Sequence, residues 1–223
     1  MTPVALSLLV AMTATLISLP FAVAAAWVLE RTRGPWRGVF QTVIMLPLVL
    51  PPVVIGYLLL KLFAPRGWLG RALESFGMPV AFHWLGAVVA ATVVGFPLLV
   101  MMTGLAMNAI DPRLETVSRT LGRSAWHTFW RVTVPLSWPG MLSGAALAFA
   151  RGLGEFGATI VLAGRIPGET ETIPLRIYAE LDAPGGEARV TGLVVVSVVI
   201  CFICVLGARA LDARYRKRLE LDR

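Results

Sequence analysis

Of the chain's 223 residues, 57% are hydrophobic and 15% charged, and the mean hydropathy is +0.77. A soluble domain of that size has no way to hide so much apolar surface, so the composition predicts an integral membrane protein in contact with lipid. The net charge of +7 comes without a basic face interleaved with aromatics, so it is read as a report of membrane orientation and not as a nucleic-acid site.

Five apolar runs, near residues 4–29, 39–63, 84–110, 136–163 and 190–211, are long enough to cross the roughly 30 Å hydrocarbon core, which takes about 20 helical residues. The expected fold is all-α and membrane-embedded, a single transmembrane domain over residues 1–223. The first run lacks a basic lead and an early cleavage site, so it is expected to be a retained helix and not a signal peptide. The second contains PLVLPP, with Pro47, Pro51 and Pro52. Those prolines predict a bent helix that either packs through a kink or lines a pathway. Beyond it, residues 67–77 put Trp68, Leu69, Ala72, Leu73 and Phe76 on one face. Residues 173–181 do the same with Ile173, Ile177, Tyr178 and Leu181, and both stretches read as interfacial helices.

The longest polar interruption is residues 111–135, DPRLETVSRTLGRSAWHTFWRVTVP. Asp111 is placed to cap a helix with Pro112 at its first position, and Leu114, Val117 and Leu121 recur as one apolar stripe. Gly122 is placed to end that helix in a left-handed turn, and Ser124 to cap a second one carrying Trp126, Phe129 and Trp130 on one face. Two short amphipathic helices at a sharp turn between membrane spans have the form of a docking element.

The fourth run reads GMLSGAALAFARGLGEFGATIVLAG. Gly140, Gly144, Ala148, Gly152 and Gly157 form a small-residue surface for close helix contact. Arg151 and Glu155 stand one turn apart inside it, where a charge costs about 2.5–3.5 kcal/mol on insertion scales and must find a partner. Two readings stay open: an ion pair that fixes packing, or a positive potential offered to a crossing anion. In the fifth run Cys201 and Cys204 form a C-x-x-C that is read as packing, because no other Cys or His accompanies it; no metal site is expected.

Counting Lys and Arg sets the orientation. With the N-terminus outside, the inner segments hold Arg31, Arg33, Arg37, Arg113, Arg119, Arg123, Arg131, Arg209, Arg214, Arg216, Lys217, Arg218 and Arg223, thirteen in all. The outer segments hold six: Lys61, Arg66, Arg71, Arg165, Arg176 and Arg189. The expectation is N-terminus out, C-terminus in, and the 111–135 loop cytoplasmic.

Gly122, nine residues, Val132, one residue, then Val134-Pro135 resembles the G-x9-I-x-L-P tail of the "EAA" loop of ABC-importer permeases. The head of that motif departs: its Glu-Ala-Ala falls on Thr116, Val117 and Ser118, with Glu115 one place early. In the family the loop inserts a coupling helix into a cleft on the ATPase. The resemblance therefore implies coupling roles for Leu114, Glu115, Thr116, Arg119, Leu121, Gly122, Trp126 and Pro135. ARGLGEFGAT, followed by AGRIPGETETIPLRIY, together with PLVLPPVVIGYLLL, resembles the permease subunit of molybdate ABC importers, and less closely its sulfate relatives. This implies a homodimer in the inner membrane, two cytoplasmic ATP-binding subunits, an external oxyanion-binding protein and no cofactor. Arg151, Glu155, Pro47 and Pro51 become candidates for the translocation path.

Hydrolysis of ATP by this chain is not expected. A P-loop needs Gly-Lys-[Ser/Thr], and the only lysines, Lys61 and Lys217, follow Leu60 and Arg216. Intramembrane proteolysis would need a His inside a span, and His83 and His127 lie at or beyond the span ends. A tungstate or sulfate permease, or a stand-alone transporter, remains the alternative. Five spans without a repeat are few to enclose a path alone.

Overall fold

The computed structural model describes residues 1–32, 34–181 and 183–221; at 211, 212 and 214–221 it describes the backbone only. Arg33 and Arg223, two of the thirteen inner basic residues, lie outside the described residues. No strand occurs among the described residues.

Three long helices form the core: α1 (Pro3–Arg31), α5 (Trp84–Asn108) and α8 (Val134–Leu153). The small residues of α8 decide how they meet. A Cβ added at Gly140 would lie 2.2 Å from the Ala106 Cβ, and one at Gly144 would lie 2.9 Å from the Met102 Cβ. Further along, Ala148 faces Gly95, and Gly152 sits between Ala91 and Ala11. The stripe thus lets the backbones of α8 and α5 close together and run antiparallel, with α1 against both. The apolar core includes Leu99, Val100, Met141 and Ala26.

The two ends of this bundle are distinct. At one, the Met1 amino group donates to the Gly168 carbonyl (2.9 Å) and Ser7 Oγ accepts from the Ile173 N–H (2.7 Å). At the other, Arg31 pairs with Glu115 of the 111–135 loop.

The run 39–63 is not one straight helix. It forms α2 (Pro35–Val49) and α3 (Pro52–Phe63), bent by 109°. Pro51 and Pro52 both lack an N–H, and Pro51 pushes Leu50 into extended backbone (φ −69°, ψ 143°), which ends the helix. Pro47, with no second proline beside it, lies inside α2 without ending it.

The run 136–163 also departs from expectation. Helix is continuous from Ala125 to Leu153, passing through α7 (Ala125–Thr128) and a π-helical turn, Phe129–Thr133. The second short helix of the loop is therefore the start of a span. The wide turn ends at Thr133, two residues before Pro135, whose ring nitrogen carries no N–H to donate. Helix then stops at Leu153 and resumes as α9 (Gly157–Leu162).

Of the two stretches read as interfacial, α4 (Trp68–Glu74) leaves Trp68 exposed, as an interfacial helix would. Helix α10 (Ile173–Leu181) seats Ile173 and Leu175 in the bundle and leaves Tyr178 and Leu181 of the predicted face exposed. The last helix, α11 (Glu187–Leu221), lies on α8 and α10. Its Cys201 and Cys204 pack toward Phe149 and Leu153, which agrees with a packing role for the pair.

Candidate functional site: a capped loop and an ion pair

The polar loop is built by local caps. Asp111 Oδ1 accepts from the Arg113 N–H (2.9 Å) and Pro112 opens α6 (Pro112–Thr120). Gly122 has φ +80°, so the chain reverses there at a position that suits glycine. Ser124 Oγ then accepts from the His127 N–H at 3.2 Å and starts α7, while Ser118 and Thr128 hydroxyls, 2.8 Å apart, tie the two arms. Leu114, Val117, Leu121 and Trp126 stand 46%, 55%, 75% and 62% exposed, an apolar stripe that none of the described residues covers. Thr116 and Arg119 are exposed on the same helix, and Pro135 lies at the surface where α8 begins. Phe129 points the other way: it is buried, with its ring 5.1 Å from Trp27 of α1 and 5.9 Å from Trp126.

Glu115 also points inward. Thr133 Oγ1 donates to its Oε1 at 2.7 Å, and Arg31 holds its Oε2. Burial opposes the charge, but the Thr133 hydroxyl and the Arg31 guanidinium outweigh it and keep the carboxyl below the usual carboxylate range. A cavity of about 190 Å³ adjoins this cluster, lined by Trp27, Arg31, Asn108 and Thr133 among others. Sequence reading missed Trp27, Arg31 and Thr133 as members of this site. Arg31 carried only an orientation signal, and a contact across 84 positions has no local signature.

The break in the fourth span carries the intramembrane charges. Arg151 Nη1 lies 2.7 Å from Glu155 Oε2, at an angle that makes it a charge contact and not an aligned hydrogen bond. Glu155 Oε1 accepts from the Ala158 N–H at 2.9 Å, so the carboxylate also caps α9. Glu155 is buried, whereas the Arg151 side chain is 32% exposed. The second break lies alongside: a Cβ at Gly157 would meet the Pro52 Cβ at 2.8 Å, and one at Gly56 would meet the Ala158 backbone at 2.8 Å. Pro51 is thus brought next to the Glu155 break, while Pro47 sits across the bend in α2.

At the Met1 end the charges form an alternating chain, Arg165–Glu171–Arg176–Glu180–Arg189, with contacts of 3.3, 3.2, 2.5 and 2.7 Å. The two carboxylates are buried and the arginines lie outside them. Among the described residues no group of His, Cys, Asp and Glu is arranged to hold a metal.

Comparison with known proteins places this geometry. The family model described as "Binding-protein-dependent transport system inner membrane component" matches residues 6–217. The chain is 46% identical over 216 residues to the molybdenum transport system permease protein ModB of Escherichia coli K12, covering 96% of this chain and 94% of that protein. It is 33% identical to the sulfate transport system permease protein CysT of the same organism, covering 96% and 76%. Among solved structures, the methionine ABC transporter MetNI in an inward-facing conformation aligns with TM-score 0.77 at 14% identity, over 96% of this chain and 94% of that one. A bacterial alginate ABC transporter bound to its periplasmic protein aligns with TM-score 0.73 at 19% identity, over 95% and 77%.

Proposed function

The chain belongs to the family of binding-protein-dependent transport system inner membrane components, and from that premise we propose that it is the permease subunit of an ATP-driven molybdate importer. The observation that carries the reading is the uncovered stripe Leu114–Val117–Leu121–Trp126, displayed on a capped loop at one end of a membrane bundle. Such a surface is built to be covered by a partner. The partner is an ATPase, and Leu114, Thr116, Arg119, Leu121, Gly122 and Trp126 shape the face that seats in it, with Pro135 setting the start of α8. The loop lies in the cytoplasm, as the charge bias implies, and the N-terminus outside. Two copies of the permease enclose the path, two ATPase subunits drive it, and an external binding protein delivers the oxyanion. Molybdate follows from the identity to the ModB relative; a sulfate permease is the second reading, favoured by the CysT match at lower identity.

Purification tests the docking role. A tagged permease should carry the ATPase through detergent extraction, and Leu121→Asp should lose it while still inserting. Retention by Leu121→Asp would sink the docking role. Substrate is tested by reconstituting the complex and comparing ATPase stimulation by binding protein loaded with molybdate or sulfate; stimulation by sulfate alone would favour the second reading.

Arg151 and Glu155 lie on or beside the path. Arg151→Met leaves the buried Glu155 carboxylate uncompensated, a loss of about 3 kcal/mol. Arg151→Met with Glu155→Leu should assemble better than the single variant. If the double variant also transports, the pair serves packing alone.

A further inference from the structure

We propose that Glu115 is a positioning residue that works inward, carrying movement of the docking loop into the last turn of α1 and the first turn of α8, instead of presenting its carboxylate to the ATPase. The inference rests on the reading of residues 111–135 as the docking loop. Both carboxylate oxygens are engaged within the chain, one by Arg31 of α1 and one by Thr133 at the entry to α8. A second contact strikes α1 one turn earlier, where buried Phe129 meets Trp27 while also touching the exposed Trp126. The loop therefore grips α1 at two points on successive turns, one ionic and one aromatic. The cavity beside Trp27 and Arg31 leaves that grip room to shift.

Helix α1 then runs for 29 residues, and Pro20 inside it removes one ladder bond without ending the helix. On the way Ala11 packs against Gly152, three residues before Glu155, and at the far end Ser7 holds the start of α10. A rotation or slide of α1 imposed at Arg31 thus reaches both the broken helix and the opposite surface. A stiff, closely packed helix is a physical connection between distant sites, provided both bias it.

The test uses the reconstituted complex of permease, ATPase and binding protein. In Glu115→Gln and in Arg31→Gln, co-purification of the ATPase should match the wild-type protein. The ratio of binding-protein-stimulated to unstimulated hydrolysis should fall roughly tenfold, the size of a typical coupling effect. The double variant should be no worse than either single one, and Arg31→Lys should keep most of the ratio. A merely structural pair would lower yield without changing that ratio, so an unchanged ratio overturns the proposal. Loss of the ATPase by Glu115→Gln, to the extent expected of Leu121→Asp, also overturns it, because the carboxylate would then face the partner. If the Arg31 variants do not assemble, Thr133→Val removes one bond alone, and again an unchanged ratio refutes the role. Retention of the ATPase by Leu121→Asp would instead refute the docking reading, whatever Glu115 does.

Discussion

The two ends of the bundle solve opposite problems with similar residues. At the Glu115 end, short polar caps (Asp111, Ser124) hold a turn whose apolar side chains face outward, and the one inward carboxylate binds back to the core. At the Met1 end Ile173 and Leu175 of α10 go inward while Tyr178 and Leu181 stay exposed, and buried Glu171 and Glu180 anchor a chain of charges. The first end holds its apolar stripe open on a loop, and the second is closed only in the sense that its ion pairs tie Arg165, Arg176 and Arg189 together. On the docking reading proposed above, a stripe held by good caps is ordered before a partner arrives, so binding would have little conformational entropy left to remove.

Removing an anchor from the open end gives the largest expected effect. Trp126→Ala should weaken ATPase binding by about 2 kcal/mol or more, as aromatic anchors do, with little change in the melting temperature of the permease alone. Tyr178→Ala, an exposed aromatic at the closed end, should leave ATPase binding unchanged in the same titration. Equal losses from both would erase the distinction between the ends.

Glycines sharpen the comparison at an intermediate size. A Cβ at Gly186, beside α10, would lie 2.0 Å from the Glu180 carbonyl, so Gly186→Ala should destabilise by about 1–3 kcal/mol through overpacking. Gly122 has open space around it and needs only its positive φ, so Gly122→Ala should cost about 1 kcal/mol. Thermal unfolding in detergent should rank them in that order. Gly122→Ala should in addition reduce ATPase stimulation, which Gly186→Ala has no direct route to do.

The smallest effect concerns pH. Glu115 has a folded-state pKa below its unfolded one, so its contribution is present in full above the unfolded value and is lost as pH falls through the folded value. The melting temperature of the wild-type protein should exceed that of Glu115→Gln at pH 7, and the gap should narrow as acid protonates the carboxylate. A gap that widens in acid would contradict the Arg31 and Thr133 contacts.

Local chemistry was legible in the sequence wherever a structure depends on neighbours within a turn or two. The caps at Asp111 and Ser124, the left-handed turn at Gly122 and the Arg151–Glu155 contact all follow from short spacings, and each is present. Apolar runs of about 20 or more residues likewise determined an all-helical membrane bundle, because so long a lipid-embedded stretch satisfies its own backbone polar groups only as a helix. What only the tertiary structure decided are the interruptions and the long-range grips. Hydropathy reports that residues 136–163 are apolar but not that the helix stops at Leu153 and that Glu155 caps the next piece. It marks Pro51 and Pro52 as a bend without showing that the bend meets Gly157 across the core. The inward turn of Glu115 toward Arg31 was equally invisible. A carboxylate on an amphipathic loop helix has the same periodicity whether it faces water, an ATPase or an arginine 84 positions away, and packing alone chooses among them.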